Sequence, residues 1–307
     1  MRNEKYSGIN ILSLGGGVQS STLALMVEHG EAFGEDGEKI APPVAAVFAD
    51  TGDESDATYG WLNWLECQLS YPVIRSANET SLSEHIRTAI EQQKRVSKPP
   101  LFTKPLTGER AIAPRESEDI DTQGQLFDDM EYAQEIKVMA SGKQGILTRD
   151  CTRDFKISVI QREVRKLMAQ HGVKKVVQWI GISLDESIRM KPARVKYSTH
   201  RWPLIEMRMS RHDCLRWMQA RGYPEPPRSA CVYCPHHSNQ EWRRIRDEEP
   251  ESWRQAVEFD AMVREGIHGV RQACYVHSQC VPLTEVDLSE DDSGLLWGNE
   301  CEGMCGV

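Results

Sequence analysis

Ile9-Asn10-Ile11-Leu12-Ser13-Leu14, Gly15-Gly16-Gly17, then Ser20-Ser21-Thr22-Leu23-Ala24-Leu25-Met26-Val27-Glu28-His29 with Gly30 behind it is the stretch that decides the fold. Six mostly apolar residues read as a short buried strand, and three glycines in a row require a turn. The next ten residues read as a helix, with Gly30 just past its end. Strand, glycine loop and helix in that order bring backbone N–H groups and the positive end of a helix to one point.

The same alternation continues outward. Val44–Phe48 is a second apolar run, closed by Ala49-Asp50-Thr51-Gly52. A helix is expected over Tyr59–Leu69, a weak strand over Tyr71–Arg75 and a helix over Ser83–Gln93. Residues 95–148 are irregular, with Pro99-Pro100, Pro105, Pro114 and an acidic patch from Glu116 to Asp121, and are expected to form a long insertion, mobile or lid-like. Phe155–His171 is an amphipathic helix pattern, Lys175–Ile182 a buried strand, Arg211–Arg221 a helix started by Ser210, and Trp253–Glu265 a late helix. The tail from Asp287 to Val307 is acidic and then rich in glycine and cysteine. Strands alternating with helices predict an α/β fold, a parallel sheet with helices on both faces. Ligands bind such sheets beyond the carboxyl ends of the strands, where the Gly15, Asp50 and Asp185 segments fall. The expected division is a nucleotide-binding domain over 1–235, carrying the insertion, and a small helical, cysteine-rich lobe over 236–307.

The composition is that of an ordinary globular protein, 39% hydrophobic and 27% charged. No apolar run reaches eighteen residues, so no membrane-spanning helix and no membrane partner are expected. The polar start, Met1-Arg2-Asn3-Glu4-Lys5, lacks the apolar core of a signal peptide, and a cytoplasmic location is expected. Nine cysteines make a poor disulfide framework and suit metal binding, a cluster or catalysis, with Cys67 and Cys214 expected as small buried apolar residues. The net charge of −9 hides an asymmetry: residues 140–247 hold 22 Lys and Arg against 10 Asp and Glu. A basic middle between acidic flanks suits a polyanion, either nucleotide phosphates or nucleic acid, although Arg162, Arg165 and Lys166 also read as a solvated helix face.

Consecutive glycines let backbone N–H groups reach phosphate oxygens with no Cβ in the way, and Ser20 and Ser21 add hydroxyl donors. The segment Gly15-Gly16-Gly17-Val18-Gln19-Ser20 resembles the PP-loop of N-type ATP pyrophosphatases and phosphoadenosine-phosphosulfate (PAPS) reductases, Ser-Gly-Gly-x-Asp-Ser. Gly15 stands where that pattern has Ser, and Gln19 where it has Asp. Asp50-Thr51-Gly52 resembles the Asp-Thr-Gly segment of the same family. Asp50 suits an adenine amino group or a ribose hydroxyl, and equally an Asx turn. Cys151-Thr152-Arg153-Asp154-Phe155-Lys156 is similar to the family's Cys-Cys-x-x-Arg-Lys with one cysteine of the pair. Gly181-Ile182-Ser183-Leu184-Asp185-Glu186-Ser187-Ile188-Arg189 is similar to its Gly-x-Arg-x-x-Glu-Ser-x-x-Arg, with Ser183 in place of the first Arg. Trp202-Pro203-Leu204 and the helix after it also match, as architecture. The resemblance covers about residues 10–75 and 148–240. It implies an adenine nucleotide α-hydrolase-like fold and ATP or PAPS with Mg2+ as cofactor. The nucleotide would lie on Gly15, Gly16, Gly17, Gln19, Ser20, Ser21, Asp50, Thr51, Arg153, Gly181, Glu186 and Ser187. Lys156 and Arg189 would act on phosphate or sulfate.

Cys231-Val232-Tyr233-Cys234 is half of a zinc or iron–sulfur site. Cys151 is the third ligand the resemblance favours. Cys274, Cys280, Cys301 and Cys305 are open for the rest, Cys305 being the expected fourth ligand, and His236 and His237 suit either ligands or polar surface. Three functions follow. One is an ATP-using PP-loop enzyme that forms AMP and pyrophosphate and supports sulfur transfer, with a nucleic acid as a candidate substrate and a cysteine desulfurase as a candidate partner. Another is a PAPS or APS reductase that uses Cys301 as nucleophile and thioredoxin as partner, Glu300-Cys301-Glu302-Gly303 being a loose match to the family's C-terminal segment. The last is a non-catalytic nucleotide or nucleic-acid binding protein, kept open by Gln19.

Overall fold

Ile9–Leu14 forms the central strand, β1, of a five-stranded parallel sheet. The computed structural model describes residues 8–105, 145–270 and 272–289. On one side of β1 lie β2 (Ala45–Asp50) and β3 (Val73–Ala77); on the other lie β6 (Val176–Ile180) and β7 (Ser198–Arg201). Strands at the middle of a parallel sheet are covered on both faces and need apolar side chains on both, and β1, β2 and β6 supply them. Leu12, Leu14, Phe48, Val177 and Trp179 pack with α1 (Val18–Glu28), α2 (Asp56–Glu66) and α6 (Arg211–Ala220). Ile11, Val47, Val176 and Ile180 pack on the opposite face with Val159, Ile160 and Val164 of α4 (Ser158–Gln170). The α/β class and the helices on both faces are therefore as expected.

The chain divides into two compact units that interleave along the sequence. The first holds the parallel sheet and comprises, among the described residues, 8–82 and 151–232. The second joins 83–105 and 145–150 to 233–289 apart from residue 271. The ends of the expected insertion thus belong with the C-terminal segment: β4 (Phe102–Pro105) pairs antiparallel with both β5 (Gly145–Ile146) and β8 (Gln272–Tyr275). Residues 106–144 lie outside the described residues, as do Cys301 and Cys305. The second unit also contains α3 from Ser83 onward (helix Leu82–Glu91), α7 (Asn239–Glu248) and α8 (Pro250–Arg264). Fully buried Asp260 ties it together, accepting from the Val276 and Leu283 N–H groups at 3.1 Å each. Among the described residues no helix is long and apolar enough to cross a membrane.

Two helix ends explain their own boundaries. Ser210 starts α6, as the sequence signalled, and the structure adds a capping box with Asp213. Gly30, at φ +66°, turns the chain after α1, and its N–H reaches the Val27 carbonyl at 3.0 Å. Cys67 corrects an expectation: it follows α2 on the surface and is exposed, whereas Cys214 is fully buried.

Candidate functional site

The strand order reverses between β1 and β6, which makes the space beyond their carboxyl ends the switch point of the sheet. Both segments there begin with glycine for a steric reason. Gly16 has φ +77°, and a Cβ on it would stand 3.3 Å from both Phe48 Cε2 and Ser229 Oγ. A Cβ on Gly181, directly after β6, would lie 2.8 Å from Ser20 N and Cα. The end of β6 is thus pressed against the first turn of α1.

Gly17 is the N-cap of α1 and offers no side-chain cap, and no acidic residue stands in the first turn. The opening N–H groups of this eleven-residue helix therefore have no partner on their own helix. Ser20 Oγ accepts from Gly15 N at 3.1 Å, which closes the loop on itself. Ser21 points elsewhere: its hydroxyl accepts from Trp61 Nε1 at 3.0 Å in the core.

Gln19 is fully buried and its amide is matched on both sides. Oε1 accepts from Arg211 Nη1 at 3.0 Å, and Nε2 donates to Glu186 Oε2 at 3.2 Å and to Ser183 Oγ at 3.4 Å. A flipped amide would set NH2 against a guanidinium and oxygen against a carboxylate, so the network fixes its orientation. Glu186 in turn pairs with Arg189 at 2.7 Å. Ser187, the neighbour of Glu186, is exposed.

The Asp50 segment forms the second wall. Asp50 Oδ1 accepts from Gly52 N and from the Tyr59 hydroxyl, both at 2.8 Å, so the Asx-type turn is present. Gly52, at φ +78°, leaves no room for a Cβ, which would meet Ser81 Cβ at 2.7 Å. Thr51 is buried and donates to Glu54 Oε1 at 3.2 Å. With that proton committed, the Cys231 thiol is the donor to Thr51 Oγ1, at 3.2 Å. The Cys231 segment is held by a bridge to Glu54 and by Val232 N donating to Asp53 O at 2.8 Å. Lys156 reaches the same carboxylate, 3.6 Å from Glu54 Oε1, with both side chains almost wholly buried. Burial pushes the Glu54 carboxyl up from its ordinary value; the Lys156 ammonium opposes this, and Asp50 adds to it.

The sequence signals are therefore gathered unequally. Gly15, Gly16, Gly17, Gln19, Ser20, Gly181, Glu186 and Arg189 form one connected group. Asp50, Thr51, Lys156 and Cys231 form another, joined to the loop through Ser229, whose hydroxyl faces both Gly16 and Glu54 Oε2 (3.5 Å). Arg153 is separated from Lys156. A π-helical turn over Thr152–Ile157 directs Lys156 inward, while Arg153 is exposed and grips Asp154 at 2.8 Å. Such turns recur at functional positions. Glu54 and Arg211 were missed by the sequence reading. Cys151, half exposed, belongs with Cys231 to the first unit, whereas Cys234 belongs to the second. Among the described residues no group of three or more His, Cys, Asp or Glu is arranged to hold a metal ion. No protein-family model matches the chain, and no curated protein matches it in sequence.

Proposed function

We propose that the first unit is a PP-loop nucleotide site of the PAPS reductase-like kind, adenine nucleotide α-hydrolase-like in fold. It binds ATP, cleaves it to AMP and pyrophosphate to activate an acceptor, and supports sulfur transfer. The observation that carries this reading is the uncapped glycine loop and first turn of α1 lying at the strand-order switch, pressed against Gly181. Loop N–H groups bind phosphate oxygens, and Gly16 keeps the approach open. Asp50 retains Oδ2 for a sugar or base donor. Lys156 and Glu54 set the charge beneath the Thr51 hydroxyl. The basic 140–247 segment favours a nucleic acid as acceptor. The described residues do not assemble a set for zinc or an iron–sulfur cluster.

A thiol chain, Cys231 to Thr51 to Glu54, favours a second reading, reduction of PAPS at a cysteine. Anaerobic calorimetry with Mg-ATP and with PAPS separates the two. Tighter binding of ATP, followed by pyrophosphate release when single- or double-stranded nucleic acid is added, supports the activating enzyme. Preference for PAPS supports the reductase. Binding of neither ligand overturns both.

A further inference from the structure

The glycine loop meets a nucleotide; an acceptor strand needs a surface of its own, and the inference rests on the nucleotide and acceptor reading above. A polyanion is held by cations whose charge no carboxylate cancels. Several basic residues of the 140–247 segment do not qualify. Arg153 grips Asp154, Arg189 pairs with Glu186, Arg201 with Glu206 and Arg216 with Asp213. The edge of the parallel sheet at β7 is different. No Asp or Glu occurs from His171 to Leu184, which contains β6, or from Ser187 to Ile205, which contains β7. Lys174, Lys175, Lys191, Arg194 and Lys196 are exposed there, and none of their side chains has an ion-pair or hydrogen-bond partner among the described residues. The carboxylates that flank these stretches in sequence are engaged: Glu186 and Glu206 by the arginines above, and Asp185 by the Arg211 backbone N–H at 2.9 Å.

The strip is fixed in place. His200 Nδ1, on β7, donates to Lys191 O at 2.8 Å, and Ser198 N donates to Val195 O at 3.2 Å. Val176 N donates to Tyr197 O at 2.9 Å, which brings the Lys196–Tyr197 backbone to the start of β6, beside Lys175. From Lys175 to Ile180 the chain runs about 17 Å, at about 3.3 Å per residue. That is about five steps of a nucleic-acid strand at about 3.4 Å each. Beyond the carboxyl end of β6 stands Ile188, 93% exposed, in a turn closed by Met190 N donating to Ser187 O at 3.0 Å. It follows Glu186 by two residues, and Glu186 accepts from Gln19 of the glycine loop at 3.2 Å.

We propose that this strip of lysines and Arg194 binds the phosphate backbone of a single-stranded nucleic acid, and that Ile188 packs on an unstacked base at the end next to the glycine loop. The cations give affinity without reading sequence, and an apolar side chain held out from the surface is suited to contact a base face. A base that is to be activated has to leave the stack, which a single strand allows at least cost. DNA and RNA share this chemistry.

The test is fluorescence anisotropy on the full chain with labelled single strands of about 20 nucleotides, DNA and RNA, and with a matched duplex, over a range of salt. The wild type is expected to bind at least one single strand more tightly than the duplex. The triple variant Lys191→Ala, Arg194→Ala, Lys196→Ala removes three phosphate contacts. Its slope of log K against log salt is expected to fall by about 2, and its affinity by roughly tenfold or more at about 0.1 M salt. Ile188→Ala is expected to weaken single-strand binding by about three- to tenfold with the salt slope unchanged. All four side chains are exposed, so both variants should melt with the wild type and bind ATP as tightly. An unchanged slope and affinity in the triple variant, or tighter binding of the duplex, overturns this inference and leaves the nucleotide site standing. So does self-association of the triple variant with its strand binding intact, the lysines then serving to prevent edge-to-edge pairing of sheets. Absence of ATP binding by the wild type overturns the nucleotide reading itself, and this inference with it.

Discussion

Gly181→Ala tests the contact on which the site depends. The added Cβ would lie 2.8 Å from Ser20 N and Cα and 3.0 Å from Ser20 Cβ. Two of these neighbours are backbone atoms of a helix buried from Val18 to Val27, so no flexible side-chain end can swing away. Restoring ordinary contact at 3.4 Å requires β6 and α1 to part by about 0.6 Å. Overpacking of this kind costs about 1–3 kcal/mol, and the melting temperature should fall by roughly 3–10 °C. The shift falls on the turn whose N–H groups face the phosphates. Misplacement by 1 Å costs up to about a hundredfold in a positioned site, so a displacement of this size should weaken ATP binding by roughly tenfold. Thermal unfolding and calorimetry on the same preparation read both effects. A variant that melts within a degree of wild type and binds ATP equally would refute the close approach of β6 to α1.

Gly60→Ala is the matched control. Gly60 lies within α2, exposed, and a Cβ there meets nothing within 4 Å, so the variant should be more stable by about 0.5–1 kcal/mol and bind ATP unchanged. Gly16→Asp fills the space beside Ser229 at a positive φ and should abolish ATP binding in a titration that the wild type saturates. Lys156→Met leaves the Glu54 carboxylate buried without its cation and should cost about 3–5 kcal/mol at neutral pH in denaturant unfolding. Glu54 is raised in the folded state, so its penalty is fully present above the folded pKa and disappears below the unfolded one. The deficit of Lys156→Met should therefore shrink as pH falls through that window, and a deficit independent of pH would count against the pair.

How far the sequence reveals such a site depends on whether a residue's role is local. β1 occupies the six residues read as a strand, and Ser210 begins its helix, because an apolar run and a capping serine act through near neighbours. β7, Ser-Thr-His-Arg at the sheet edge, carries no apolar pattern and was not read at all. Helix α7 was missed for a similar reason: its apolar anchors are Trp242 and Ile245, amid six charged residues. In Gly15–Gly17 and Gly181 the signal is the missing Cβ, which any turn shares. What distinguishes them is the neighbour they admit, and for Gly181 that neighbour is more than 150 residues away in sequence. Glu54 sits in Asp53-Glu54-Ser55-Asp56, which looks like a polar loop, yet it is buried because Lys156, Thr51 and Ser229 converge on it. Arg211 looks like an ordinary charge at a helix start until Gln19 is found against it. The two are linked: a glutamine wholly buried in the first turn of α1 is tolerable only if something fills both ends of its amide. The departure from Asp to Gln at position 19 therefore implies a cation at one end and an acceptor at the other, and Arg211 and Glu186 are the residues that meet it.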